Sequence, residues 1–152
     1  MKKVNVVFHI PSYTTDKEFK PVPLNANYDY WVLIIKDFLL KSKIIEIQCW
    51  NDETDLIEEL KSLFKEPLQC ANEDNLFIIK GKVTSTIEEY LNKKYLNEKG
   101  KFKWFTINFY NDNKIVFQSG HWGTEIFIPN IFEEEVSFYS KLTPIDTDLF
   151  IY

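Results

Sequence analysis

The run FKWFTINFYNDNKIVFQSGHWGTEIFI at residues 102–128 narrows the choice of fold more than any other stretch of the chain. From Phe102 to Tyr110 the side chains alternate. Lys103, Phe105, Ile107 and Phe109 fall on one face, and Phe102, Trp104, Thr106, Asn108 and Tyr110 on the other. Period two in aromatic and β-branched residues predicts a strand. Asn111, Asp112 and Asn113 tolerate turn conformations, and Ile115–Gln118 resumes the alternation, so an antiparallel hairpin is expected. Gly120 and Gly123 bracket His121 and Trp122, where a bulge or tight bend is expected. Glu125–Ile128 reads as a return strand ended by Pro129. Phe105, Ile107, Phe109, Ile126 and Ile128 are the predicted core, while Trp104 and Tyr110 face a side that needs a second layer or a partner.

A chain of 152 residues fits one domain, residues 1–152. At that length about 70% of the unfolded surface can be buried, so neither disulfides nor a metal are required. The net charge is −5 and every cation except histidine is lysine. Arginine is the usual reader of phosphate and guanine, so its absence and the acidic balance argue against direct nucleic-acid binding. Cys49 and Cys70 form no CxxC pair and read as buried free thiols of a reducing compartment. The start MKKVNVVFHI reads as a first strand rather than a signal peptide. The longest apolar stretch, Tyr30–Leu40, is interrupted by Lys36 and Asp37 and is too short for a membrane span. A cytoplasmic protein with no membrane contact is expected.

Along the chain, Lys3–Ile10 predicts a strand. Pro11–Asn27, with Pro11, Pro21 and Pro23, predicts a long loop, with Lys20–Leu24 open to being a short edge strand. In Tyr28–Lys43, Trp31, Ile34, Ile35 and Phe38 fall at helical spacing, although Trp31–Ile35 also suits a buried strand. Length favours a helix capped by Asn27 or Asp29. Ile44–Trp50 predicts a strand. A helix follows from about Glu53 to Phe64, with Leu56, Ile57, Leu60, Leu63 and Phe64 on one face and acids in its first turn. Pro67–Asn75 reads as a loop and Leu76–Val83 as a strand. Ser85 or Thr86 opens a helix through about Asn97 that Gly100 closes. Ile131–Leu142 predicts a short helix with Ile131, Val136, Phe138, Tyr139 and Leu142 towards the core, and Asp148–Tyr152 a last strand. The first half thus alternates β-α-β-α-β-α, which suggests parallel pairing, and the second half is an antiparallel meander. The expected class is α+β, or an α/β variant, with helices packed on a mixed central sheet.

Catalytic signatures are sparse. His121 and Glu125 are spaced i and i+4, but the flanking glycines argue against a helix, and no third ligand accompanies them, so no metal is expected. Ser119 lies near His121 without a G-x-S-x-G context. Glycines at 81, 100, 120 and 123 form no phosphate-binding loop. No cofactor is expected. A small hydrolase or transferase using His121 and a carboxylate near residues 119–125 remains an alternative, as does a structural or adaptor subunit. Two acidic clusters stand out: Asp52, Glu53, Asp55, Glu58 and Glu59, and Glu133, Glu134 and Glu135. Both suit helix starts and solvated faces. Both also suit docking of a basic protein, with Trp50 or Trp122 as an aromatic anchor.

A small, acidic, aromatic-rich domain without a catalytic motif resembles the immunity proteins that guard bacteria against polymorphic or contact-dependent toxins. The resemblance is one of general character across the chain, and its most distinctive stretch is SGHWGTEIFIP at Ser119–Pro129. It implies a non-enzymatic cytoplasmic inhibitor of a cognate toxin, often a nuclease, that blocks the toxin through a protein–protein interface. The residues that would form that interface are Asp52, Glu53, Asp55, His121, Trp122, Glu133, Glu134 and Glu135.

Overall fold

The computed structural model describes residues 2–15 and 18–152. Its frame is an eight-stranded sheet with helices on one face. In chain order the elements are β1 (Lys3–His9), β2 (Ser12–Thr15), β3 (Glu18–Pro23), α1 (Asp29–Lys41), β4 (Ile44–Trp50), α2 (Thr54–Leu63), β5 (Gln69–Glu73) and β6 (Leu76–Lys82). Then follow α3 (Ser85–Lys93), β7 (Thr106–Asn111), β8 (Lys114–Gly120), β9 (Glu125–Phe132), a 3-10 turn at Glu133–Glu135, α4 (Val136–Leu142) and β10 (Asp148–Ile151). The sheet order is β10-β1-β9-β8-β7-β4-β6-β5, with β2–β3 as a separate hairpin. Among the described residues, no helix is long and apolar enough to cross a membrane.

The α+β class holds, with helices packed on a large sheet. The pairing differs from the parallel arrangement that the alternating first half suggests, because every ladder of the sheet is antiparallel. The reason lies in where the crossovers land. Strands β4 and β5 both run antiparallel to β6, so α2 joins two strands of like direction and leaves a gap that β6 fills. Likewise α3 joins β6 to β7, and β4 lies between them. Strand β5 was expected to be loop. Its sequence QCANE has no alternation because it is an edge strand, exposed along nearly its whole length.

Burial follows the two-residue period of each strand. Ile45, Ile47 and Cys49 of β4 and Val4, Val6 and Phe8 of β1 point into one core. Helix α1 lays Trp31, Ile34, Ile35 and Phe38 onto it, which resolves the helix-or-strand ambiguity of Tyr28–Lys43 in favour of helix. The opposite face mixes polar side chains with apolar ones such as Ile78, which pairs with Gln48. There Asn108 Nδ2 donates to Glu46 Oε2 at 2.7 Å, Gln48 Nε2 donates to the same oxygen at 2.9 Å, and Gln118 Nε2 donates to Asn108 Oδ1 at 2.8 Å. The first and third of these bonds run across neighbouring strands, because Glu46 pairs with Asn108 and Asn108 with Gln118, while the second links two residues of β4.

Several local expectations change. The strand read from Phe102 begins only at Thr106, and Phe102 makes an isolated bridge to Leu96. Leaving the ladder breaks the two-residue period. Phe102 and Trp104 are fully buried against Trp31, at ring separations of 4.9 and 5.7 Å, while Phe105 is only half-buried. Strand β9 continues through Pro129 instead of stopping there. Strand β8 pairs β9 only as far as Phe127, and the β1–β9 register shifts between Val4 and Val6, so the missing amide breaks no ladder bond. The segment Pro11–Asn27 contains the hairpin β2–β3, and residues 16 and 17 lie outside the described set. Helix α3 is capped by Thr84, whose hydroxyl accepts from Ile87 N at 3.2 Å, and ends at Lys93 rather than near Asn97. Glu133–Glu135 form a 3-10 turn ahead of α4, and Phe138 points outward. Both cysteines are free, but only Cys49 is buried.

Candidate functional site

One end of the sheet gathers the termini of β1, β4, β7, β8 and β9. The registers show this: His9 and Gly120 both pair with Glu125, Ile107 with Ser119, and Gln48 with Thr106. Here the β8–β9 connection, His121–Thr124, meets the start of α2 and the loop leading into β7. Trp122 N donates to Phe105 O at 3.1 Å, and the Tyr30 hydroxyl of α1 donates to Gly123 O at 2.6 Å. Gly123 sits at φ +81°, and a Cβ there would lie 3.2 Å from the Phe102 ring, so the turn approaches the core as closely as glycine permits.

The backbone of this turn is unusual. Three connections among the described residues carry two consecutive left-handed residues, the mark of primed hairpin turns. Two use Asp74-Asn75 and Asp112-Asn113, residue types that tolerate that conformation. The third places His121 at φ +49° and Trp122 at φ +53°. For a bulky side chain this is a true outlier, and it persists only where the surroundings hold it.

Beside the turn lies a cavity of about 620 Å³, walled by Trp50 and Trp122 and edged by Lys20, Asp52, Glu53, Asn97, Glu98 and Lys99. Its size is that of a ligand or side-chain pocket. Trp50 and Trp122 flank Phe105 at ring separations of 5.1 and 4.8 Å, and the His121 ring lies 5.8 Å from Trp122. Glu53 anchors the wall twice. One oxygen accepts from Trp50 N at 2.9 Å, and the other lies 3.3 Å from Lys20 Nζ. An adjoining hollow of about 530 Å³ extends the surface along α2 to Asp55 and Glu59, where Lys103 Nζ is 2.8 Å from Glu59 Oε2. Beneath, burial pushes the Cys49 thiol up to about 12, with Glu53 adding to the effect and Lys20 opposing it.

The fold therefore brings Asp52, Glu53, Asp55, His121 and Trp122 to one end of the sheet. Glu133, Glu134 and Glu135 lie at the other. They follow Phe132, at the far end of β9 from Glu125, and Glu133 N donates to Lys2 O. Eight residues of strand put about 23 Å between the two ends. Ser119 and His121 do not form a nucleophile and base. The Ser119 hydroxyl accepts from Trp31 Nε1 at 2.8 Å inside the core, whereas His121 is exposed. Among the described residues, no three His, Cys, Asp or Glu side chains converge as metal ligands would. Lys20 and Glu98 line the site without a sequence signal of their own, since Lys20 reads as loop or short edge strand and Glu98 falls between the expected helix end near Asn97 and Gly100.

Comparison of the chain with protein families, with characterised proteins and with solved structures returns no match.

Proposed function

We propose that the protein is a binding protein of the immunity type, a cytoplasmic inhibitor that neutralises a basic cognate toxin domain by docking it on the end of the sheet occupied by Trp50 and Trp122. The observation that carries this reading is the cavity between the two indoles with carboxylates at its rim. A concave aromatic centre within a charged border is how protein interfaces concentrate binding energy. The net charge of −5 adds long-range attraction for a basic partner, which raises the association rate more than the final affinity. Sheet-end turns suit the role because the sheet holds their geometry at the surface.

Co-expression with the toxin encoded beside this chain tests the reading. The expected result is loss of toxicity and co-purification of a stable complex. Unchanged toxicity without a complex would refute it. Association should also slow as salt is raised, since steering between exposed charges is screened over roughly 8 Å at physiological ionic strength.

A further inference from the structure

Trp122 carries two unfavourable features at once. Its backbone is left-handed, and its indole Nε1 is buried without a hydrogen-bond partner. The other buried indoles are satisfied: Trp31 donates to Ser119 Oγ at 2.8 Å and Trp104 to the Tyr90 hydroxyl at 3.4 Å. Trp122 is only 6% exposed and forms part of the cavity wall. A buried donor left unpaired is costly, and one kept in a native structure calls for an explanation. At the rim, Glu53 is engaged by Lys20, whereas Asp52 and Glu98 have no ion-pair partner among the described residues. The cavity thus offers indole surfaces and the carboxylates of Asp52 and Glu98 beside Lys20 and Lys99, and the unpaired Nε1 is closed off from solvent within its Trp122 wall.

We propose that this cavity receives an arginine side chain of the protein partner, its guanidinium against the indoles and the carboxylates of Asp52 and Glu98, while a main-chain carbonyl of the same segment accepts from Trp122 Nε1. The proposal rests on the protein-binding reading above. Each requirement comes from a separate feature. Indole faces attract a cation, and a planar guanidinium stacks on them better than an ammonium does. A forked donor can serve two carboxylates. The unpaired N–H calls for an acceptor next to the cation, and a peptide backbone always supplies one. Solvent does not reach Nε1 in the free protein, so the arriving segment moves the side chains beside it to make that bond. The chain has no arginine of its own to fill the place.

The test uses the full chain, labelled with ¹⁵N, and the blocked peptide acetyl-Gly-Arg-Gly-amide. The four indole N–H resonances are assigned by single Trp→Phe variants. Saturable shifts are expected at Trp50 and Trp122, with Trp31 and Trp104 unmoved. The isosteric, uncharged citrulline peptide should bind at least about fivefold more weakly, and the Asp52→Asn/Glu98→Gln protein should lose affinity for the arginine peptide by a similar factor. Trp122→Phe keeps a ring but removes the donor; the smaller ring lowers the urea midpoint, and the folded variant, recognised by unchanged Trp31 and Trp104 resonances, should bind several-fold more weakly. Absent shifts at Trp50 and Trp122, equal binding of the citrulline peptide, or full affinity in the double variant would overturn the proposal. Full affinity in Trp122→Phe would overturn its carbonyl part. Because the probe is a peptide, binding without any complex in the toxin test would sink the toxin assignment alone. A toxin complex without a peptide response would sink the arginine site alone.

Discussion

His121 and Trp122 occupy conformations that side chains other than glycine and asparagine rarely adopt, and the two cases differ. Trp122 is held by its amide bond to Phe105 O and by its packing on the Phe105 ring. His121 is exposed and contributes little to the core. Its strain is therefore weakly compensated, and His121→Asn should hold or raise stability, by up to about 1 kcal/mol. Urea unfolding measures this directly, and a loss above about 1 kcal/mol would show that the imidazole makes a contact the fold depends on. Trp104 teaches a different lesson. The alternation of Phe102–Tyr110 puts it on the face opposite Phe105, to be covered by a second layer or a partner, and it is fully buried beside Trp31 and Tyr90 while Phe105 is only half-buried. Residues 102–105 are not in the ladder, and a two-residue period carries no information about orientation where there is no strand.

At the level of elements, caps and turns decide boundaries. Helix α3 begins one residue before the capping box suggests, because the Thr84 hydroxyl, not that of Ser85, accepts from the first turn. Thr84→Ala should cost about 1 kcal/mol in chemical denaturation, while Ser85→Ala should be nearly neutral; the reverse order would place the cap where the sequence pattern put it. Most elements were legible beforehand. Strands β1, β4, β6 and β8 and helix α2 announce themselves through apolar periodicity, since each buries one face, whereas α1 reads as helix or buried strand until its packing is seen. Others carry weaker signals. β5 is an exposed edge, and of the β2–β3 hairpin only β3 has a signal, the short edge strand open at Lys20–Leu24, whose Pro21 and Pro23 are buried. The continuation of β9 past Pro129 was hidden for another reason: whether a strand tolerates proline depends on its neighbours, and a single strand's sequence does not show them. The site was half legible. Asp52, Glu53 and Trp122 could be named from composition and local pattern, but their meeting at one sheet end follows from strand order, as does the removal of Glu133–Glu135 to the other.

Across the whole molecule, the aromatic core leaves a signature in the pH dependence of stability. Burial raises Tyr28 and Tyr139 to about 12, Tyr30 and Tyr90 are raised still further, and Cys49 also reaches about 12. In the unfolded chain these groups ionise near 10 for tyrosine and 9 for cysteine. The folded state holds their protons where the unfolded state releases them. Their contribution is thus complete below about pH 9 and falls as pH rises towards 12, by at most about 1.4 kcal/mol per pH unit for each group. Urea midpoints should be level between pH 7 and 8.5 on this account and drop beyond pH 9.5, whereas a midpoint unchanged at pH 10.5 would mean the buried phenols and thiol ionise freely. The same compact sheet divides the acidic residues between two ends, and only one end has the indole-walled cavity. Amide hydrogen exchange of the toxin complex against the free protein tests that assignment most directly. The account predicts new protection at Trp50–Asp55 and Gly120–Thr124, with exchange at Glu133–Leu142 unchanged; protection confined to Glu133–Leu142 or to β10 would contradict it.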